Sequence, residues 1–313
     1  MNWITISVLA YLLLAFCYIL DKFLLKKNIP QPSVYAFYTA ILSAGVFFLI
    51  PFGVKWVNFD FFFRAIVFGM IFIWALVYFY KAVKKNEISR VAPLVGTVTQ
   101  IATFLLAVIF LDKKPSLMND FGLGVLILGG FLISFDVPLN YKNIVRGMKH
   151  SVLSGILFAI AYTGFDFIYK EYEMRMGGEN VFINGFFWSR IGLILGGFSL
   201  LAVGKYRREI IKTIFGKRKE RVESRSLKTI FLFLLNKIFG GTSSILINHA
   251  IFLGGALVVQ AISSTQFAFV LLLATLMSLK MPDIFEEKLT AWDWAQKIGS
   301  LGLIAGGIFL LSS

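Results

Sequence analysis

SVLAYLLLAFCYILDKFLLKK, at 7–27, returns at 151–171 as SVLSGILFAIAYTGFDFIYKE, identical at eight of twenty-one aligned positions, with Tyr18 falling on Tyr162. A second match lies near the end of each half. GLGVLILGG at 122–130 corresponds to GSLGLIAGG at 299–307, so that Gly122, Gly129 and Gly130 fall on Gly299, Gly306 and Gly307. The chain therefore reads as a duplication, 1–140 and 148–313, each half containing five apolar segments. A unit that crosses a bilayer an odd number of times is followed by its copy in the opposite orientation. Such inverted repeats are the architecture of secondary carriers.

Composition excludes most other classes. Of 313 residues, 58% are hydrophobic and 15% charged, and the mean hydropathy is +0.79, far from the profile of a soluble domain. Apolar runs long enough to cross a hydrocarbon core fall near 3–23, 33–53, 61–83, 87–111, 116–135, 149–171, 181–203, 229–252, 255–279 and 291–311. A backbone in lipid must satisfy its own hydrogen bonds, and these runs lack the alternation of a barrel strand. The expected fold is all-α and integral to the membrane, ten transmembrane helices arranged as two inverted five-helix repeats. The first run carries no basic start and recurs internally, so it reads as a retained helix rather than a signal peptide. Cys17 is the single cysteine, which removes intrachain disulfides and cysteine-based metal clusters.

The net charge of +14 is concentrated in connections, ten basic residues lying in KYRREIIKTIFGKRKERVESRSLK at 205–228. In a membrane protein this reads as attraction to anionic lipid rather than to nucleic acid. Tyr206, Ile210, Ile211, Ile214 and Phe215 share one side of a helix there, the pattern either of an interfacial amphipathic helix or of a solvated basic linker. The distribution of lysine and arginine places both termini outside the cell.

The glycines of the repeated GLGVLILGG segment read as packing positions, since small residues let helix backbones approach closely in lipid. Function is sought instead among polar residues that are costly to place there: a charge at a helix centre costs about 2.5 to 3.5 kcal/mol on the mildest scale. Ser7, Tyr11, Tyr18 and Lys22 form one stripe of the first helix, and Ser151, Gly155, Tyr162 and Asp166 form the matching one. Both stripes are expected to face the interior. Lys22 is read as snorkelling to the interface beside Asp21, or as part of a coupling or gating site. Asp166 is a protonatable gate or the fixed partner of Arg190 or Lys237.

Arg190 lies about 13 Å into the seventh helix at 1.5 Å per residue, and Lys237 at similar depth in the eighth. These two deep cations are read as meeting an anionic or zwitterionic substrate, with Lys237 as the principal candidate and Tyr18 and Tyr162 lining the path, while Arg190 reads equally as a structural tie between helices. A bridge from Lys237 to Asp166 is the competing reading. Gln100, Gln260 and Ser264 add neutral polarity to the fourth and ninth helices, either as substrate ligands or as interhelical hydrogen bonds. No nucleophile with a base, metal motif or paired carboxylates points to an enzyme, and no cofactor is expected.

YKAVKKNEISRVAPLVGTVTQIATFLLAVIFLDKKPSLMNDFGLGVLILGGFLIS, at 80–134, resembles the second half of an EamA-type repeat of the drug/metabolite transporter superfamily. HAIFLGGALVVQAISSTQFAFVLLLATLMSL followed by FEEKLTAWDWAQKIGSLGLIAGGIFLL resembles the same half again. The resemblance implies a ten-helix carrier in the cell membrane that moves a small polar metabolite, such as an amino acid, by export or exchange. A proton or counter-substrate is the implied partner, and a homodimer is compatible. Proteins of similar fold also handle phosphorylated or lipid-linked sugars, so a flippase is the alternative. The resemblance also implies cytoplasmic termini, against the charge distribution, and an acidic residue after the fourth helix, here Asp112 followed by Lys113 and Lys114.

Overall fold

The computed structural model describes residues 2–27, 31–110, 117–134, 141–215, 227–285 and 291–312. Asp112, and the basic connection from 216 to 226, lie outside the described residues. The described residues contain helices and no strand.

In chain order the helices are α1 (Trp3–Lys27), α2 (Pro32–Leu42), a 3-10 continuation (Ser43–Phe52), α3 (Phe59–Lys85), α4 (Ile88–Phe110), α5 (Leu117–Ser134) and α6 (Tyr141–Met176). Then follow α7 (Val181–Ser199), α8 (Gly204–Phe215), α9 (Leu227–Gly254), α10 (Ala256–Ile262), α11 (Ser264–Lys280), α12 (Pro282–Phe285) and α13 (Ala291–Ser312). Among the described residues, eight spans are long and apolar enough to cross a membrane, which makes the chain a multi-pass integral membrane protein. Two expected single helices are divided. The second run changes from α to 3-10 geometry at Ser43, and the ninth breaks at Ser263 between α10 and α11.

The outer surface is apolar, as lipid requires. Phe48, Phe63, Phe231 and Ile238 are all exposed. Hydrocarbon on both sides of such a helix removes the hydrophobic drive for association, so close backbone contact must supply it. Gly69 on α3 and Gly192 on α7 do this: a Cβ on Gly69 would lie 2.5 Å from the Ser189 carbonyl oxygen, and one on Gly192 would lie 2.5 Å from that of Ala65. Gly155 on α6 approaches α4 similarly, with its carbonyl accepting the Thr99 hydroxyl at 3.1 Å.

The glycines singled out near the ends of the two halves divide into two groups. Gly129 packs on Ser300 and Ile304 of α13, and Gly130 on Thr97, whereas a Cβ on Gly299 or Gly306 would meet open space. The packing reading is therefore corrected for the second pair. α3 lies along α6 and α7, α1 along α9 and α11, α4 along α6, and α5 along α13.

The basic connection begins as a helix, the first of the two readings, but its apolar side is shared out. Tyr206 and Ile210 are buried, with α8 resting on α2, while Ile211 and Phe215 remain exposed. Lys81 donates to the Tyr206 hydroxyl at 2.5 Å, and Ser33 donates to the Glu209 carboxylate. The helix is thus pinned to the bundle by two polar contacts, with Ile211 and Phe215 left outward.

Candidate functional site

The polar stripes of α1 and α6 face inward. Ser7, Tyr11, Lys22, Ser151 and Asp166 are buried, and Tyr18 and Tyr162 are partly so. Between α1, α2 with its 3-10 continuation, α3, α6, α7 and α9 lies a cavity of about 420 Å³, within the range of small-molecule sites. Its wall is mostly apolar and aromatic, including Phe72, Phe79, Phe158 and Phe186. The charged residues on it are Asp21, Arg190 and Lys237.

Asp21 organises one end. Its Oδ1 accepts the Tyr35 hydroxyl at 2.5 Å and the Asn236 amide at 2.6 Å, and the Cys17 thiol donates to the Asn236 Oδ1. The Lys237 Nζ lies 4.0 Å from Asp21 Oδ1, and the rings of Tyr35 and Phe233 approach it at 4.2 and 5.1 Å. A carboxylate and facing aromatic rings both stabilise a desolvated ammonium. α1 brings Cys17 and Asp21 to this point one helical turn apart, and α9 brings Asn236 and Lys237.

Arg190, on α7, is the other charged residue of the wall. It is 6% exposed, its Nη2 donates to the Ser244 hydroxyl at 2.6 Å, and the guanidinium carbon stands 4.3 Å from the Phe186 ring centroid. Its Nε is buried with no hydrogen-bond partner, and no carboxylate pairs with it among the described residues. Among the described residues the site therefore has two deep cations and one carboxylate, and that carboxylate lies beside Lys237, leaving the Arg190 guanidinium without a counter-charge.

Several expectations are corrected. Asp166 pairs with neither Arg190 nor Lys237: its Oδ1 meets Lys170 at 3.1 Å, and its Oδ2 accepts the Ala256 backbone N–H at 3.1 Å, at the start of α10. An acidic group there complements the positive end of a helix. Lys22 does not snorkel. It is buried and donates to the Val83 and Asn86 carbonyl oxygens at 3.0 and 2.5 Å, at the C-terminal end of α3. These are orphan carbonyls that a lysine satisfies well. Asp166 and Lys22 align in the repeat, and each ties its helix to the terminus of another.

Gln100, Gln260 and Ser264 are not on the cavity wall. The Gln100 Nε2 reaches the Gln260 and Ala261 carbonyls and the Ser263 and Ser264 hydroxyls at 2.6 to 3.3 Å. A break such as that between α10 and α11 frees backbone acceptors, which at membrane depth must find polar partners, and Gln100 serves the break. Tyr18 and Tyr162 do line the cavity, Tyr18 against Phe79 and Tyr162 against Phe72 and Phe158.

The residues that the sequence did not single out are Tyr35, Asn236, Ser244 and, as a deep anion, Asp21. A signal existed for Asp21, because a lysine at the depth of Lys237 needs a counter-charge and Asp21 lies on the same helix as the inward stripe. No comparable signal identifies Tyr35 or Ser244. No family model matches the chain, and no curated protein matches it.

Proposed function

We propose that this chain is a membrane carrier whose central cavity binds the anionic group of its substrate at Arg190 and exchanges it across the bilayer by alternating access. The observation that carries the reading is the buried guanidinium on the cavity wall with an unpartnered Nε and, among the described residues, no carboxylate beside it. Buried charges are normally paired. A bound anion supplies the missing charge, and exchange of that anion gives an otherwise costly residue its use. Lys237, whose ammonium is held by Asp21, acts in this reading as part of the site's fixed frame.

Alternating access draws support from how the helices meet. In the duplicated reading, ten helices form two inverted five-helix units like those of EamA-type carriers, and the α3–α6 contact corresponds to α9–α1. The α3–α7 contact then corresponds to α9–α2. The first of these is closed backbone to backbone through Gly69 and Gly192. The second touches at Tyr35, Asn236 and Phe233 and then separates around the cavity. One seam shut and its equivalent parted is the asymmetry that an inward–outward exchange requires. The setting is a cell membrane, and the cargo an anionic or zwitterionic metabolite moved by export or exchange.

The test is a thermal-shift screen of detergent-purified protein against amino acids, sugar phosphates, nucleotide sugars and lipid phosphates, beside Arg190→Gln. A ligand that binds only the folded state raises its apparent stability by mass action. One class is expected to stabilise the wild type and not the variant, and to show counterflow in proteoliposomes. Equal shifts in both proteins, or stabilisation without counterflow, would overturn the reading.

A further inference from the structure

The cavity's exposed wall residues are Leu42 and Gly45 on one side and Gly241 and Ile245 on the other. All four belong to the two elements that separate, α2 with its 3-10 continuation and α9. Leu42 lies ten residues after Pro32, and Gly241 and Ile245 lie twelve and sixteen after Thr229, roughly 15 Å and 18 to 24 Å along their spans at 1.5 Å per residue. These are mid-span depths in spans of 21 and 26 residues. An opening there faces hydrocarbon rather than water.

The edges suit an apolar chain. Leu42 and Ile245 are 45% and 46% exposed, and Phe47, Phe48 and Ile238 extend the apolar surface outward. A Cβ placed on Gly45 or on Gly241 would meet nothing within 4 Å. Neither glycine is needed for close helix packing, and both leave the opening wide. One edge is a ten-residue 3-10 helix, a geometry uncommon beyond a single turn and frequent at hinges.

We propose that the substrate is a membrane amphiphile with a singly charged anionic head, a carboxylate or phosphodiester, which enters sideways between the 3-10 segment and α9. The head meets Arg190 and Ser244, and the chain lies out over Leu42 and Ile245 into the bilayer. Charge sets the head: with Lys237 offset by Asp21, the one unmatched guanidinium balances one negative charge. The apolar wall sets the rest, because a compact polar metabolite would leave most of that wall without a partner. This inference rests on the carrier reading and narrows its substrate.

The experiment places the full chain in phosphatidylcholine nanodiscs containing a minor fraction of phosphatidylglycerol, and counts retained phosphatidylglycerol by native mass spectrometry. Glycerophosphoglycerol, the same head without chains, is titrated separately. Wild type should retain phosphatidylglycerol, and Arg190→Gln, Gly241→Phe and Gly45→Phe should each lower retention by about tenfold, equivalent to about 1.4 kcal/mol. The two glycine variants plug the opening from opposite edges, so the arm survives failure of either to fold. Retention unchanged in both, with Arg190-dependent binding of glycerophosphoglycerol, would overturn the sideways route and leave a carrier of small anions. No Arg190-dependent binding of either ligand would overturn both readings.

Discussion

The Lys237 ammonium stands 4.0 Å from the Asp21 carboxylate, so the deep cation of α9 is answered by a residue of α1 rather than by Asp166 of α6. This pairing joins the two halves of the chain at the seam of α1 and α9. It also leaves Arg190 as the cation without an internal counter-charge.

Removing one partner of the pair should cost more than removing both. Asp21→Asn leaves an uncompensated buried ammonium, a change that typically destabilises by about 3 to 5 kcal/mol. Asp21→Asn with Lys237→Met should recover part of that loss. A double-mutant cycle of thermal unfolding in one detergent checks the coupling. Additive losses would show that the two charges do not interact.

Arg190→Gln should abolish anion binding while lowering stability by no more than about 1.5 to 3 kcal/mol, the scale of the single charge-assisted hydrogen bond to Ser244. Arg190→Lys should not restore binding, because the ammonium lacks the planar fork that grips a carboxylate or phosphodiester. Ligand titration and unfolding of the same preparations separate the two effects. Strong destabilisation by Arg190→Gln would mark the arginine as a structural tie.

Lys22→Met should expose the end of α3. It removes the donor to the Val83 and Asn86 carbonyls, a charged hydrogen-bonding group worth about 1.5 to 3 kcal/mol. Hydrogen exchange of the amides at 82–91 should accelerate relative to the rest of α3. Uniform acceleration across the protein would place the loss elsewhere.

Gly192→Ala should part the α3–α7 seam, since its Cβ would fall 2.5 Å from the Ala65 carbonyl oxygen, whereas Gly45→Ala has open space and should be neutral. In a carrier that closes and opens this seam, Gly192→Ala biases the protein toward the state in which it is open. A cysteine placed at Ala65 of a Cys17→Ser background should then label faster from that side. Unchanged labelling with unchanged stability would show that the seam tolerates a methyl group.

Membrane insertion was legible from the amino acids alone, because hydrocarbon accepts only long apolar helices and the chain offers them in plain runs. The divided second and ninth spans were not. Whether Ser43 continues an α-helix, or Gln100 supports a break at Ser263, depends on neighbours that hydropathy does not name. The inward stripes were readable too, since Ser7, Tyr11 and Lys22 recur with the helical period and polarity is excluded from lipid.

Pairing is where the sequence ran out. A charge at depth announces that it needs a partner, yet Asp21, Asp166 and the chain's other carboxylates are equal candidates along a string of letters. An ion pair or hydrogen bond needs its partner within about 3 to 4 Å, so the choice belongs to packing: the seam of α1 and α9 brings Asp21 to Lys237, and the start of α10 takes Asp166. Composition determined that this chain lives in a membrane with buried charge. Only the tertiary arrangement decided that, among the described residues, Arg190 is the charge left without a carboxylate, and that the cavity beside it is walled by the 3-10 continuation of α2 and by α9.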